Sequence, residues 1–197
     1  MFLQGSSAQE ESLCHNSILF NVIKEFKKSY YDNNSGSLNR GTYTSCGLYS
    51  NNVLFFGKDK RGNINYDKTL RADVITLAAP NLSYLYKINR VDYPKNVELV
   101  DTALRNRIFA ILYQFVINNC NIIVLGAYGC GVFKNNPKQV AEIFVEQLEL
   151  FRGFFRYIYF PIPDASNAKV FDNVFYNNYQ LNKRFANSDK SIKGYLM

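Results

Sequence analysis

Residues 125–133 read Leu-Gly-Ala-Tyr-Gly-Cys-Gly-Val-Phe, which puts Gly126, Gly129 and Gly131 between two segments of opposite character. Ahead of them, Asn121-Ile122-Ile123-Val124-Leu125 is a continuous apolar, β-branched run of the kind that forms a buried strand. Behind them, Asn136-Pro137 precedes a helical pattern in which Val140, Ile143, Phe144, Gln147 and Leu148 share a face. Pro137 suits a first helical turn, where its missing N–H costs nothing. The glycines are therefore expected where a strand hands over to a helix. Such a junction offers free backbone N–H groups and the positive end of a helix dipole, a combination that suits phosphate. Glycines also let a backbone approach a ligand closely. The spacing is neither the dinucleotide fingerprint nor the P-loop. A plain tight turn uses the same residues.

The remaining chain supplies elements to go with this junction. Ser7 with Glu10 forms a capping box that would start a helix near Ala8. Leu13, Leu19, Phe20, Ile23 and Phe26 continue it as an apolar face that ends among Lys27 and Lys28. Glu10 and Glu11 fall in its first turn, where carboxylates are common for capping alone. Tyr31 to Gly41 reads as a surface loop. Leu48-Tyr49 and Val53 to Phe56 read as short strands divided by a turn at Ser50-Asn51-Asn52, and Gly57 to Asn63 as a polar hairpin turn. Asp73 to Ala78 is a buried-strand candidate, and the Ala79-Pro80-Asn81 turn behind it could line a site. Residues 81–96 look irregular. Leu99, Ala103, Leu104, Ile108, Ile111, Leu112, Phe115 and Val116 form the apolar face of a helix over 97–118. A strand over 155–162, a short helix over 168–185 and a polar tail from about 186 to 197 follow. Strands alternating with helices imply a mostly parallel α/β sheet, in which ligands sit outside the carboxyl ends of strands. Both turns lie there.

Composition narrows the partners. At 197 residues the chain is expected to be one domain with a core of its own. Its formal charge of +7 suits an anionic partner, but no long basic run or evenly spaced tyrosine platform appears, and nucleic acid is not expected. Cys14, Cys46, Cys120 and Cys130 are isolated, and His15 is the only histidine. That argues against a metal centre and a disulfide scaffold, and fits a reducing cytoplasm. No membrane-length apolar stretch and no secretory leader pattern is present, so the expectation is a soluble, cytoplasmic protein.

Several stretches together resemble the microbial type of poly(ADP-ribose) glycohydrolase, a branch of the macrodomain fold. They are Phe2-Leu3 through Gln9-Glu10-Glu11-Ser12-Leu13-Cys14, then Tyr43-Thr44, then Val74 through Ala79-Pro80-Asn81. Leu104-Arg105-Asn106-Arg107-Ile108 and Val124 through Phe133 complete the set, with order and spacing kept over roughly residues 2–165. The resemblance implies a macrodomain-like mixed sheet flanked by helices in three α/β/α layers, and a single catalytic domain over 1–197. It implies that Glu11 is catalytic and that Glu10 orients the proximal ribose. Gln9, the turn Ala79, Pro80, Asn81, and the loop residues Gly126, Gly129, Cys130, Gly131, Val132 and Phe133 would bind substrate. In that assignment residues 129–131 wrap the diphosphate of a terminal ADP-ribose, and Phe133 packs on the ribose beside it.

The implied reaction is hydrolysis of ribose–ribose bonds in poly(ADP-ribose) or on ADP-ribosylated protein, with ADP-ribose as ligand and no cofactor. A protonated Glu11 would donate to the departing hydroxyl and, as carboxylate, activate water. Burial and the substrate's charge would have to raise its pKa. One departure stands out. In the family a triple glycine precedes Gln-Glu-Glu by a short spacer; here Met1 occupies the place of the last glycine and the strands before it are missing. A misplaced start, a natural fragment and a shortened protein of altered function are all open. The alternative to an enzyme is an ADP-ribose-binding module that no longer cleaves.

Overall fold

The computed structural model describes residues 9–35, 41–88 and 93–185. They fall into two compact units. Unit 1 comprises 1–36 and 46–78, and unit 2 comprises 37–45 and 79–197.

Unit 1 opens with helix α1 (Gln9–His15), followed by α2 (Leu19–Ile23) and a short α3 (Asn33–Ser35). The single amphipathic helix expected up to Lys28 is broken after His15. The reason is local: Asn16 and Ser17 turn their side chains back to the carbonyls of Ser12 and Leu13, and Ser17 Oγ accepts from Leu19 N–H at 3.1 Å. Such side-chain bonds compete with the helical ladder. Tyr31 and Asp32, expected in a loop, close a π-helical stretch over Lys27–Asp32. Strands β1 (Leu48–Lys58) and β2 (Ile64–Thr76) form an antiparallel hairpin. The turn expected at Ser50-Asn51-Asn52 is instead a bulge inside one continuous strand. Asn52 takes a φ of +56° there, and its N–H donates to Asp73 Oδ1 at 2.7 Å. Cys14, Leu19, Ile23, Val53 and Val74 make the core of this unit, with Leu13, Ile18, Phe20, Tyr31, Leu48 and Phe55 packed against it.

Unit 2 contains α4 (Leu82–Ile88), α5 (Tyr93–Ile117), β3 (Ile122–Val124), α6 (Pro137–Leu150), β4 (Tyr157–Tyr159) and α7 (Ala165–Phe185). Helix α4 and the first turn of α5 thus fall within residues 81–96, a stretch that sequence reads as irregular, while the rest of α5 matches the helix expected from residue 97. Strands β3 and β4 pair in parallel, and α6 is the crossover that parallel pairing requires. The β3 run is half-buried rather than covered on both faces. Ile123 and Leu125 are buried, while Ile122 and Val124 are exposed, as alternation along a strand dictates. On α5, Leu104, Ile108, Ile111, Leu112 and Phe115 are buried as expected, but Val100 replaces Leu99 as the inward residue of its turn. On α6, Val140, Ile143, Phe144 and Gln147 face inward, and Asn136 caps the helix through its side chain to Lys138 N–H. Phe144, Phe160 and Phe171 meet ring against ring with centroids 5.1–6.4 Å apart.

Among the described residues the strands thus form one antiparallel and one parallel pair, so "mostly parallel" applies to β3–β4 alone. The cause on the β1–β2 side is the tight Asp59–Asn63 connection, which can join only antiparallel neighbours. No helix among the described residues is long and apolar enough to cross a membrane. The polar tail at 186–197 and the capping Ser7 lie outside the described residues.

Candidate active site

In unit 1 the two glutamates occupy the first turn of α1. They differ in environment. Glu10 accepts a hydrogen bond from the Tyr31 hydroxyl, and its carboxyl sits above the ordinary range because burial penalises the charge more than that bond relieves it. Burial and the bond to Glu10 push the Tyr31 phenol upward in turn. Its ring stands edge-on to Tyr30 at 5.0 Å, which fixes its direction. Cys14, one turn on, is pushed up to about 11 by burial and by the Glu10 charge. Glu11 is mostly buried, and its Oε1 lies 3.8 Å from Nε2 of the exposed His15. Its other oxygen, Oε2, is buried with no hydrogen-bond partner among the described residues. A buried acceptor left open is costly unless a ligand completes it. Gln9 begins the helix and is exposed.

In unit 2 the loop from Leu125 to Asn136 follows the carboxyl end of β3. It is built as successive turns: Cys130 N–H to Ala127 O at 3.0 Å, Lys134 N–H to Gly131 O at 3.1 Å, and Asn135 N–H to Gly129 O at 3.1 Å. Gly129 has a φ of +72°, in the left-handed region that favours glycine. Among the described residues the N–H groups of Gly129, Gly131, Val132 and Phe133 donate no hydrogen bond. Gly131 and Val132 are exposed, and Val132 reaches 79 %. Cys130 points inward, and burial raises its thiol to about 12.

The Ala79-Pro80-Asn81 turn is tied to this loop. Asn135 Nδ2 donates to Pro80 O at 2.9 Å, and Ser83 N–H donates to Phe133 O at 3.0 Å. Phe133 packs against Tyr43 with centroids 5.8 Å apart, and Asn81 Nδ2 donates to the Tyr43 hydroxyl at 3.3 Å. Beneath them, the buried Arg107 donates to the carbonyls of Thr42 and Tyr43, holding that segment from α5. The two predicted substrate-binding stretches of unit 2 are thus one cluster, with an open backbone N–H row and an aromatic pair. Sequence reasoning missed Tyr31 and Asn135. Tyr31 was hidden in an apparent loop, and Asn135 was overshadowed by Asn136-Pro137, whose place at the start of a helix is the plainer signal.

The first 58 residues, which include Gln9-Glu10-Glu11, match the model of the microbial-type PARG catalytic domain. Among solved structures, poly(ADP-ribose) glycohydrolase from Deinococcus radiodurans in complex with ADP-ribose is 30% identical. That match covers 89% of this chain and 70% of the relative, with a TM-score of 0.77. The chain belongs to the microbial-type poly(ADP-ribose) glycohydrolase family. It is thereby placed among glycosidases of α/β, macrodomain-like fold. Another crystal form of the Deinococcus enzyme with ADP-ribose gives 28% identity over 90% of this chain and 71% of that one, at TM-score 0.79. The glycohydrolase from Thermomonospora curvata, bound to the inhibitor ADP-HPD, gives 28% over 87% and 63%, at 0.72. No curated protein matches the chain significantly.

Proposed function

We propose that this chain hydrolyses ribose–ribose bonds in poly(ADP-ribose), releasing ADP-ribose, with Glu11 as general acid and then base. The observation that carries this reading is the open, buried Oε2 of Glu11 on a carboxylate that is otherwise mostly out of water. A sugar hydroxyl or leaving oxygen in that position would supply the missing partner. Glu10 orients the proximal ribose. One of its oxygens is held by Tyr31, so the carboxylate presents a fixed second oxygen to a ribose hydroxyl. Protonated Glu11 gives its proton to the departing ribose oxygen as an oxocarbenium-like sugar forms. The resulting carboxylate then takes a proton from the attacking water.

The role of the unit 2 loop is to hold the diphosphate. Its open N–H row at Gly129, Gly131, Val132 and Phe133 is the donor set an anion requires. Phe133, backed by Tyr43, offers a ring to the ribose, and Gln9 and the 79–81 turn complete the substrate contacts. The whole chain is read as one catalytic domain acting on poly(ADP-ribose) or ADP-ribosylated protein in the cytoplasm, where four cysteines outside any disulfide are at home. The test is ADP-ribose release from purified polymer by this chain beside its Glu11→Gln variant. Release confined to the wild type supports the assignment. Binding of ADP-ribose with no release from either identifies a binding module instead.

A further inference from the structure

The outer part of the β1–β2 hairpin has no role in the reaction above, yet its composition is distinctive. Between Phe56 and Arg71 it carries Lys58, Lys60, Arg61, Lys68 and Arg71 against only Asp59 and Asp67. Lys58, Lys60, Arg61 and Lys68 are exposed, and none is held in an ion pair among the described residues. Asp59 is occupied by the turn itself, accepting from the N–H groups of Arg61 and Asn63, both at 2.8 Å. Apolar groups accompany the cations: Tyr66 is 73 % exposed, Leu70 60 % and Ile64 47 %. A two-stranded ribbon in water is marginal by itself, so large exposed rings and chains on it are a cost unless something covers them.

The root of the ribbon is firmly set. Ile18 N–H donates to Leu54 O at 3.0 Å and Phe56 N–H to Asn16 O at 2.8 Å, with Ser17 bridged to Phe55. That segment immediately follows α1, the helix of Glu10 and Glu11, within the same unit. Beyond Phe56, two further residues carry the strand roughly 7 Å outward to Lys58, where the Asp59–Asn63 turn begins.

We infer that this hairpin is a second binding surface for the polymer, gripping units of poly(ADP-ribose) other than the one being cleaved. The inference rests on the substrate assigned under Proposed function. Each phosphate of the polymer carries negative charge for the lysines and Arg61, and each adenine offers a face for Tyr66. The chain anchored at α1 brings its neighbouring units to the arm that starts there. RNA carries similar chemistry but has no anchor at α1, so the polymer is the favoured ligand.

The test compares wild type with the Lys58→Glu/Lys60→Glu/Arg61→Glu/Lys68→Glu variant, both in a Glu11→Gln background to prevent turnover. Affinity is measured for long poly(ADP-ribose), for monomeric ADP-ribose and for single-stranded RNA of equal length, over a salt series. The expected result is long-chain affinity reduced at least about 10-fold with a shallower salt slope, by roughly 0.7 for each phosphate contact removed. Monomer affinity stays unchanged. The tip variant Lys60→Ala/Arg61→Ala, which alters only exposed turn side chains, reports the same loss in smaller measure if the fourfold variant folds poorly. The inference is overturned if long-chain affinity is unaffected, if the wild type holds long chains no tighter than the monomer, or if RNA binds equally well. Release assays on the Glu11-containing protein are read separately: no release overturns the reaction, while the binding comparison still decides the arm.

Discussion

Replacing Gly129 by alanine tests the diphosphate loop most sharply. The backbone there has a φ of +72°, and an added Cβ would collide with Asn135 Nδ2 and stand 2.7 Å from Ala79 Cβ. Holding an L-residue in the left-handed region costs about 1–2 kcal/mol. Displacing Asn135 breaks its 2.9 Å bond to Pro80 O and leaves buried polar groups unsatisfied, adding about 1–3 kcal/mol. Together these predict a fall in Tm of about 5–15 °C for a chain of this size. Gly131 is the control: nothing lies within 4 Å of a Cβ placed there, and its φ is not left-handed. Thermal denaturation followed by circular dichroism, with calorimetric titration of ADP-ribose, separates the two. Gly129→Ala should lose both stability and affinity, whereas Gly131→Ala should keep its Tm and lose affinity only, because the methyl obstructs the approach of the diphosphate. Equal Tm for wild type and Gly129→Ala would refute the bracing role of Asn135.

Further outcomes follow from the other buried groups. Asn135→Ala should cost about 1–3 kcal/mol in denaturant unfolding by orphaning Pro80 O, and should weaken ADP-ribose binding through the loop. Arg107→Met should destabilise by about 3 kcal/mol, since the carbonyls of Thr42 and Tyr43 lose their guanidinium donor and the Tyr43 segment its support. Glu10 has a carboxyl raised above its unfolded value, so the native state holds the extra proton. Its unfavourable contribution therefore grows as pH rises from the unfolded carboxylate range through the raised one. Glu10→Gln, which can still accept from Tyr31, should raise the Tm at pH 7 and change it little at pH 4. With an aromatic disulfide reagent at pH 8, exposed Cys46 should react first, and Cys130, pushed up to about 12, should react only on unfolding.

The parts of the fold legible in the sequence were those where one local signal had no competitor. Pro137 after Asn136, followed by a clean 3.6-residue apolar pattern, gave α6 and its first turn. The run 121–125 gave β3 and the loop that follows it. Errors arose where side chains overrode the pattern. Asn16 and Ser17 cut one apparent helix into two by bonding back to Ser12 and Leu13. Asn51 and Asn52 carry turn chemistry, yet Asp73 across the ribbon converts them into a bulge. The same limit applies to the candidate site. Glu10, Glu11 and the glycines stand in recognisable strings, whereas Tyr31 and Asn135 matter through partners 21 and 55 residues away, respectively. Local spacing carries no trace of such pairs. The hairpin turn at Gly57–Asn63 was legible, but only strand pairing sets Lys68 and Arg71 on the same ribbon as Lys58, Lys60 and Arg61.

The central claim is that Glu11 performs the proton transfers of glycosidic cleavage. Its most direct test is the initial rate of ADP-ribose release from poly(ADP-ribose) by wild type and Glu11→Gln, with ADP-ribose affinity measured on both. The account predicts a rate reduced about 10²–10⁴-fold with affinity kept. An undiminished rate in Glu11→Gln would contradict it.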